Sequence, residues 1–213
     1  MIIINAQVYM KEDNLMSNSW IPSIEVEGAQ GTRVVSLNTR HLMNRCIFLS
    51  GDINSDMAND FLSELLFLEQ DNDPITIYIN SPGGEVNAGL MIYDAIQGSN
   101  LKIDMICTGR AASMAAVILA AGQKGRRYIF PHSKVMIHEP LIANGVGGSA
   151  TSIKNISESI LETKEIVNGI LAKHTGKSIE EINDATGFDN YMDAKEAIKF
   201  GICDHITHYI RVM

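Results

Sequence analysis

The sequence predicts an α/β domain in which short strands alternate with helices and pair in parallel. Three apolar runs, at 46–49, 75–79 and 103–107, have the length and composition of buried strands. Helical patterns separate the first run from the second and the second from the third, which is the order of a βαβ unit. The 213 residues, 46% of them apolar, suffice for a sizeable hydrophobic core without help from metals or disulfides.

The helices that connect these strands are predicted from the spacing of apolar residues. Between the first two strands, residues 55–70 carry one apolar stripe at helical spacing, formed by Met57, Phe61, Leu65 and Leu68. Between the next two, residues 86–96 form a crossover helix. A further helix follows the third strand at the carboxyl edge of the sheet, where open α/β folds place their sites. The start of that last helix is therefore the first place to expect a functional residue.

Ser113 lies at the junction between the third strand and an alanine-rich helix, within the segment GRAASMAAVILAAG at 109–122. Gly109 permits a sharp turn after the strand, and the alanines allow other backbone to approach closely. A hydroxyl in the first turn of a helix faces the positive end of the helix dipole, which favours a developing anion. The segment predicts a mounted nucleophile, although a plain serine N-cap that opens a buried helix fits the same residues.

His138 ends a short apolar strand at 134–138 that Pro140 closes. Side chains at strand ends reach sites, and histidine is the usual general base near neutral pH. An ordinary histidine at a sheet edge is the alternative. A carboxylate to orient such an imidazole is available at Asp189, in a turn-like segment between two helical patterns. The residues alone do not separate it from the nearby acids Asp184, Asp193 and Asp204.

Gly83 and Gly84 follow a β-rich strand and precede a helix in the segment YINSPGGEV at 78–86. Glycines free neighbouring N–H groups to point at one spot, as the oxyanion of an acyl-transfer reaction requires. A Ser-His-carboxylate set beside such donors supports nucleophilic catalysis, because the imidazole takes the serine proton and the carboxylate fixes its tautomer. A glycine turn from strand to helix, with no catalytic role, is the alternative.

Residues 151–174 predict one long helix, because no glycine precedes Gly169 and large aliphatic residues recur at three- and four-residue spacings. About 24 residues span roughly 36 Å, which is long for a domain of this size. We expect part of the stripe to project beyond the core and to need a partner; it consists of Ile153, Ile156, Ile160, Val167 and Ile170. A core-packed helix without an oligomeric role is the alternative. Ser178 and Glu181 then predict a capping box that opens the next helix.

The composition restricts the class of protein. A net charge of −8 disfavours a nucleic-acid-binding surface. The three cysteines lie in apolar segments without paired spacing, so we expect reduced core thiols and a cytoplasmic protein. No apolar run approaches the length of about 18 residues that a membrane span needs, and the first residues lack the pattern of a secretory signal.

Four segments, INSPGGEVNAGL, GRAASMAAVILAAG, SKVMIHEPL and HTGKSIEEIN, occur in an order and spacing that resemble the proteolytic subunits of the Clp protease, the ClpP family. The similarity covers about residues 20–206. It implies a ClpP/crotonase-like superhelix of repeated β-β-α units with a protruding handle helix at about 150–175. It also implies Ser113 as nucleophile, His138 as general base and Asp189 as orienting acid. The backbone N–H groups of Gly84 and Met114 are implied as the oxyanion hole.

The resemblance further implies an ATP-dependent serine endopeptidase that hydrolyses unfolded proteins inside a chamber of stacked heptameric rings, with or without a paralogue. An ATP-driven unfoldase of the ClpX, ClpA or ClpC type is expected to dock on the rings. ATP is then used by that partner, so no cofactor or metal is expected here. An extended substrate is expected to pair as a strand beside Val86 on one side and Leu141 on the other. Residues 1–17 are expected to form an N-terminal extension, a propeptide or axial loop, before a single protease domain at 18–213.

The chain departs from the family pattern in three places. Gly187 and Phe188 stand where many relatives have an Asp-Arg pair whose arginine makes an ion pair between rings. The stretch at 141–148 is longer than the usual glycine-rich connector. Glu139 replaces a common glutamine, and strand alternation points it away from His138, so we expect it to be structural. A catalytically silent ring subunit and a crotonase-type acyl-CoA enzyme are the alternative functions; the intact Ser-His-Asp set argues against the first and is not required by the second.

Overall fold

A computed structural model describes residues 22–28, 31–142 and 145–210. The chain divides into two compact units, residues 1–46 and 47–213. In the described part of the first unit, strands β1 (Ser23–Gly28) and β2 (Gly31–Ser36) pair antiparallel and lead into helix α1 (Leu37–Met43). Ser36 caps this helix, because its side-chain oxygen accepts a hydrogen bond from Thr39 N at 3.0 Å. The extension expected at 1–17 lies outside the described residues.

The second unit is built around a mostly parallel sheet. Its main strands run in the order β3 (Cys46–Ser50, in this unit from Ile47 onward), β4 (Ile75–Ser81), β5 (Ile103–Ala112), β6 (Arg127–Ile129) and β9 (His205–Ile206). Strand β7 (Lys134–Ile137) pairs in parallel with the end of β5, and β8 (Asn190–Met192) pairs antiparallel with β7. The helices are α2 (Ser55–Leu68), α3 (Val86–Gly98), α4 (Met114–Ala120), α5 (Ala150–Thr175), α6 (Ile179–Thr186) and α7 (Ala194–Phe200). The α/β class with parallel strand pairs is confirmed.

Helix α2 illustrates how the predicted pattern becomes structure. The stripe expected over 55–70 is buried at Phe61, Leu65 and Leu68, and Met57 is half-buried. Asn54 starts the helix, because its side-chain oxygen accepts a hydrogen bond from Met57 N at 2.9 Å. The helix ends at Leu68, two residues before the predicted end.

The turn predicted at Gly109 is wrong, because β5 continues through this residue to Ala112. The missing side chain makes room for Asn80 instead: a Cβ on Gly109 would lie 2.5 Å from Asn80 Oδ1. That oxygen accepts a hydrogen bond from Arg110 N at 3.2 Å. From Arg110 onward the strand pairs with β7, and the backbone hydrogen bonds of this ladder keep it extended. The change of direction occurs at Ser113.

A buried ion pair supports the carboxyl-terminal ends of α4 and α5. Arg127 is buried, and its guanidinium donates to Asp204 through Nε at 2.9 Å and through Nη2 at 2.6 Å. Its Nη1 donates to Ala120 O at 3.0 Å and to His174 O at 3.2 Å, which lie in the last turns of α4 and α5. The guanidinium thus donates hydrogen bonds to carbonyl groups that lack a donor partner within their own helices, and its positive charge is favourable at these negative helix ends.

Arg127 also determines the charge state of Asp204. Burial by itself would raise the pKa of this carboxyl, but the hydrogen bonds and charge of Arg127 outweigh burial. Backbone N–H groups of Arg127 and Gly125 add to that effect, so the pKa of Asp204 lies below its ordinary value. The pair is therefore ionised at neutral pH.

Helix α5 differs between its two halves. Toward its carboxyl end Val167, Asn168 and Leu171 are buried, whereas Ile153 and Ile156 near its start are exposed. The expectation that part of the apolar stripe lies outside the core is confirmed for this amino-terminal half. The capping box predicted for α6 is confirmed as well, since Ser178 and Glu181 exchange side-chain to backbone hydrogen bonds. Among the described residues, no helix has both the length and the apolar content needed to cross a bilayer.

Candidate active site

Ser113 occupies a strained backbone position between β5 and α4. Its φ of 55° and ψ of −126° lie in a region that residues with side chains rarely adopt. Two hydrogen bonds fix it there: Ser113 N donates to Met136 O at 2.8 Å, and Ser113 O accepts from Ala116 N at 2.9 Å. The side chain makes no capping hydrogen bond to α4. A plain serine N-cap is therefore excluded, and the hydroxyl is available to another partner.

That partner is His138, which follows the last residue of β7. His138 Nε2 lies 2.9 Å from Ser113 Oγ, a hydrogen-bond distance, and the imidazole is only 15% exposed. The contact results from strand register, because Ala112 pairs with Met136 in the parallel β5–β7 ladder. The ladder brings the residues just beyond its end, Ser113 and His138, to the same edge of the sheet.

Asp189 approaches the other nitrogen of the same ring. His138 Nδ1 and Asp189 Oδ1 are 3.6 Å apart, which is longer than a hydrogen bond, and the carboxylate side chain is 58% exposed. The antiparallel pairing of β7 with β8 accounts for this approach, because Ile137 lies opposite Asn190. Phe188, just before the acid, is 89% exposed. The structure thus brings all three side chains of the expected triad together, with one close contact and one looser one.

The other candidate acids have different partners or positions. Asp193 caps α7, accepting hydrogen bonds from Lys195 N and Glu196 N at 2.8 and 2.9 Å. Asp204 is engaged with Arg127. Asp184 is an exposed residue of α6.

The glycine pair passes close to the nucleophile. Gly83 has a φ of 97°, and a Cβ on it would lie 2.6 Å from Ser113 Cβ and 3.1 Å from Met114 N. Gly84 is held against Ile53: Ile53 N donates to Gly83 O, and Glu85 N donates to Ile53 O, both at 2.8 Å. A Cβ on Gly84 would lie 2.1 Å from Ile53 O, so no larger residue fits without a shift of the backbone.

Two N–H groups around Ser113 have no acceptor among the described residues. Met114 is the first residue of α4, where N–H groups lack an intrahelical acceptor. Gly84 N–H points away from the bridge to Ile53, which uses the flanking carbonyl of Gly83 and the N–H of Glu85. Both groups are therefore free to bind an oxygen atom near the serine.

An open groove of about 500 Å³ lies between the start of α3, residues 140–142 and the middle of α5. Both residues expected to pair with substrate, Val86 and Leu141, line it. Val86 is the first residue of α3, so its N–H is unpaired within the helix while its carbonyl faces along the helix. On that side Val86 can therefore donate one backbone hydrogen bond to an extended substrate, but it does not present the alternating donors and acceptors of a strand edge.

Glu139 is structural, as its strand position predicted. Its carboxylate Oε2 lies 2.5 Å from Lys164 Nζ of α5, and Glu139 N donates to Thr186 O at 2.8 Å. These bonds attach the chain next to His138 to α5 and α6. The residue binds its neighbours and does not face the imidazole.

Sequence reasoning missed Asn168, a fully buried polar residue of α5. Its Nδ2 donates to Asn183 Oδ1 at 2.8 Å and to Thr186 Oγ1 at 3.1 Å, both on α6. Thr186 O in turn accepts from Glu139 N, so Asn168 belongs to the framework that supports His138 and the turn of Asp189. An asparagine between Val167 and Leu171, on the buried side of a helix, was the available signal.

The cysteines do not compete with Ser113 as nucleophiles. All three are buried, and none of them forms a disulfide. Burial raises the pKa of the Cys107 thiol to about 11 and raises that of Cys203 as well, so both stay protonated at neutral pH. Among the described residues, no group of three or more His, Cys, Asp or Glu side chains is arranged to hold a metal ion.

A family model and a curated relative both match most of this chain, and both descriptions name the Clp protease. The family model described as Clp protease matches residues 29–209. A curated relative, named ATP-dependent Clp protease proteolytic subunit, from Ligilactobacillus salivarius (strain UCC118), is 44% identical over 188 residues. The aligned region covers 87% of this chain and 94% of the relative.

Proposed function

Since the chain belongs to the Clp protease family, we propose that it hydrolyses peptide bonds with Ser113 as nucleophile, His138 as general base and Asp189 as orienting acid. As a member of this family the chain is a serine endopeptidase, the proteolytic subunit of an ATP-dependent protease. The observation that carries the assignment of residues is the 2.9 Å contact between His138 Nε2 and the oxygen of a strained serine. Such strain costs about 1–3 kcal/mol and typically persists where function requires it.

The reaction proceeds through an ester on Ser113. His138 Nε2 removes the hydroxyl proton while Ser113 Oγ attacks the carbonyl carbon of the scissile bond. The C–N bond breaks as the proton passes from Nε2 to the departing amine, and the acyl group stays on Oγ. A water molecule, deprotonated by the same imidazole, then attacks the ester and releases the new carboxyl terminus. The proton returns to Ser113 and the enzyme is regenerated.

The N–H groups of Gly84 and Met114 stabilise the tetrahedral intermediates. Each intermediate carries a negative charge on the former carbonyl oxygen, next to the carbon bonded to Ser113 Oγ. Both N–H groups have no acceptor among the described residues, and Met114 adds the positive end of the α4 dipole. Donors that are fixed before the reaction lose no energy by reorienting when the charge develops.

Asp189 keeps the imidazole in the productive tautomer, with a proton on Nδ1 and a free electron pair on Nε2. The 3.6 Å separation is longer than a hydrogen bond. Contacts of this kind are often long in substrate-free enzymes and tighten in the complex with substrate. The acid is therefore assigned to orientation and charge stabilisation, and it does not take the proton itself.

The protein works as part of an assembly with an ATP-consuming partner, as the name of the relative indicates for that protein. We assign the exposed amino-terminal half of α5 to contacts between subunits, because the side chains of Ile153 and Ile156 lie outside the core and are exposed. The finer arrangement proposed is two stacked heptameric rings in the cytoplasm, served by an unfoldase of the ClpX, ClpA or ClpC type. The substrates are then unfolded chains that enter the chamber in an extended form.

Cleavage assays on the assembled protein test this function. A quenched fluorogenic peptide should be cleaved by the wild-type protein, and Ser113→Ala should remove this activity. Gly98→Ala is the matched control, because a Cβ at that position of α3 meets no atom within 4 Å. Cleavage by Ser113→Ala at the wild-type rate would contradict the assignment, and a wild-type assembly that cleaves no peptide would indicate a silent subunit.

A further inference from the structure

A further glycine, Gly89, brings α3 close to the residue that follows Ser113. Gly89 is buried in the first turn of α3. A Cβ on it would lie 2.5 Å from Met114 Cε, 3.1 Å from Met114 Cβ and 3.2 Å from Met114 Cγ. The Met114 side chain therefore occupies the space that any other residue at position 89 would fill.

The backbone conformation of Gly89 does not require glycine. Its φ is not positive, in contrast to Gly83 and Gly84, so its conformation suits any residue. Within a helix, alanine is more stable than glycine, so local helix propensity favours the larger residue. The space taken by the Met114 side chain is thus the feature that requires glycine here.

Met114 has little freedom to move away from α3. Its exposed fraction is 3%, and every residue of α4, the helix that it begins, is buried. On the side of the glycine pair, a Cβ on Gly83 would lie 3.1 Å from Met114 N. The preceding residue is fixed as well, because Ser113 N donates to Met136 O at 2.8 Å. A displaced Met114 side chain therefore moves its own backbone with it.

The position of this backbone matters because Met114 N–H is one of the two proposed oxyanion donors. Such donors act at about 2.7–3.1 Å from the oxyanion, and catalytic groups must be held to within about 0.5 Å. Carbon atoms are in optimal contact at about 3.5–4.0 Å, so an alanine Cβ 2.5 Å from Met114 Cε forces a displacement of about 1 Å. Half of this displacement, if it reaches the backbone, moves the N–H group out of its productive position.

We propose that Gly89 is a positioning residue, which holds the Met114 N–H group in the oxyanion hole by leaving room for the Met114 side chain. The proposal rests on the peptidase function and adds to its site a residue that acts only through a neighbour. The effect of Gly89 concerns the charge that develops in the tetrahedral intermediates, and substrate binding does not depend on that charge. Loss of the glycine should therefore lower kcat and kcat/KM by the same factor and leave KM unchanged.

Gly89→Ala tests the size of this effect on the assembled protein. A displaced donor is weakened and not lost, so kcat should fall about tenfold, less than the loss of roughly 100- to 1,000-fold that a missing donor causes. Gly98→Ala is the matched control, because it adds the same Cβ to the same helix and meets no atom within 4 Å. This control should keep the wild-type kcat and KM.

A peptide aldehyde probes the oxyanion hole without turnover. Ser113 Oγ adds to the aldehyde carbon as the carbonyl double bond opens, and the hydroxyl proton passes to His138 Nε2. The former carbonyl oxygen then carries the negative charge in the oxyanion hole. The dissociation constant of a fluorescently labelled aldehyde, measured by anisotropy, should rise about tenfold in Gly89→Ala. The matching peptide alcohol cannot form this adduct and should bind equally to variant and wild type.

A second substitution separates positioning from helix packing. Met114→Ala keeps the N–H group but removes the Cγ and Cε atoms that an alanine at position 89 overlaps. In the Met114→Ala background, Gly89→Ala should change kcat and aldehyde binding by less than about twofold, since the two residues no longer interact. A role of Gly89 in the packing of α3 alone would give the same factor in both backgrounds.

Unchanged kcat and aldehyde affinity in Gly89→Ala would overturn the proposal, as would a loss of equal size in both backgrounds. Should Gly89→Ala not assemble, the comparison is made in Met114→Leu, which lacks Cε, and equal kcat with and without Gly89→Ala there would overturn it too. Each of these results, obtained while the wild type cleaves peptides, contradicts this inference alone. A wild type that cleaves no peptide and binds the aldehyde no better than the alcohol contradicts the proposed function and this inference with it.

Discussion

The two contacts of His138 belong to regions of very different character. On one side Ser113 stands between buried segments, the end of β5 and the wholly buried helix α4, and its contact with the imidazole is 2.9 Å. On the other side Asp189 lies in an exposed turn beside the short strand β8, and its contact is 3.6 Å. The core therefore fixes the nucleophile and the base, whereas a surface segment supplies the acid. Substitutions at the surface segment should reduce turnover in a folded protein, whereas substitutions in the buried framework should mainly reduce stability.

Asp189→Asn should give the largest effect, a loss of about 10⁴-fold in turnover, because an amide no longer fixes the productive tautomer. The exposed turn should tolerate the change, so folding and assembly should stay intact. Turnover of a fluorogenic peptide and sedimentation are the two measurements.

Asp193→Asn and Glu139→Gln are the controls for this comparison. Asparagine replaces aspartate well as an N-cap, and Glu139 faces Lys164, so both variants should stay close to wild-type turnover. Equal losses at Asp189 and Asp193 would mean that the acid is assigned to the wrong residue.

Gly84→Ala should reduce turnover by about 100- to 1,000-fold, the typical loss of one oxyanion donor. A Cβ here meets Ile53 O at 2.1 Å, so the backbone must shift and carry its N–H away from the oxyanion. Peptide turnover with a circular dichroism spectrum checks that activity falls in a folded protein. Full activity in Gly84→Ala would remove Gly84 from the oxyanion hole.

Asp204→Asn removes one partner of the buried Arg127–Asp204 ion pair, and its main effect should be a lower free energy of unfolding. Removing one partner of a buried ion pair leaves Arg127 uncompensated, which typically costs about 3–5 kcal/mol of unfolding free energy. Urea unfolding at neutral pH measures the difference. Equal stability of variant and wild type would mean that the pair contributes nothing net.

The pH dependence of this difference has a defined sign. The pKa of Asp204 is lowered in the folded protein, so its contribution is fully present above the unfolded value of about 3.9. It disappears as the pH falls through the folded pKa, where the carboxylate takes up a proton. The stability gap between wild type and Asp204→Asn should therefore close only in acid below pH 3.9.

The smallest effect concerns salt. The family resemblance implies that Phe188 stands where many relatives have the arginine of an inter-ring ion pair. Association between the proposed rings should therefore depend on apolar contacts of α5, which ions do not screen. Sedimentation across a salt series should show proportions of single and double rings that change little. A steep salt dependence would show that ion pairs still join the rings.

A substitution on α5 sharpens the same point. Ile160→Asp should split double rings, because it places an unpaired charge on the proposed contact stripe. Asn155→Asp adds the same charge to a different side of the exposed half of the helix and should not. Double rings that persist in Ile160→Asp would assign the stripe to the core or to another contact.

The sequence predicted the elements whose apolar pattern is strong. The strands at 46–49, 75–79 and 103–107 and the helix over 55–70 appear where the pattern placed them. Gly109 was assigned a turn because glycine permits one, but here its small size accommodates Asn80, a tertiary contact that local composition does not reveal. The positive φ of Ser113 was equally hidden, since serine rarely adopts it.

The site could be predicted only in part from the residues themselves. The contact between Ser113 and His138 depends on the register Ala112 to Met136, and that of Asp189 depends on Ile137 to Asn190. Register joins segments distant in the chain, so spacing alone could not choose among Asp184, Asp189, Asp193 and Asp204. Family resemblance made that choice, and Asp189 is the one of them that lies beside the imidazole.

Labelling of the assembled protein with a serine-directed fluorophosphonate tests the central claim, that Ser113 is the nucleophile and His138 activates it. Mass spectrometry should find one adduct, on the peptide that contains Ser113. The adduct should be absent from Ser113→Ala and should form much more slowly in His138→Ala, since the hydroxyl then lacks its base. An adduct on another residue that abolishes cleavage, or undiminished labelling of Ser113→Ala, would contradict the account.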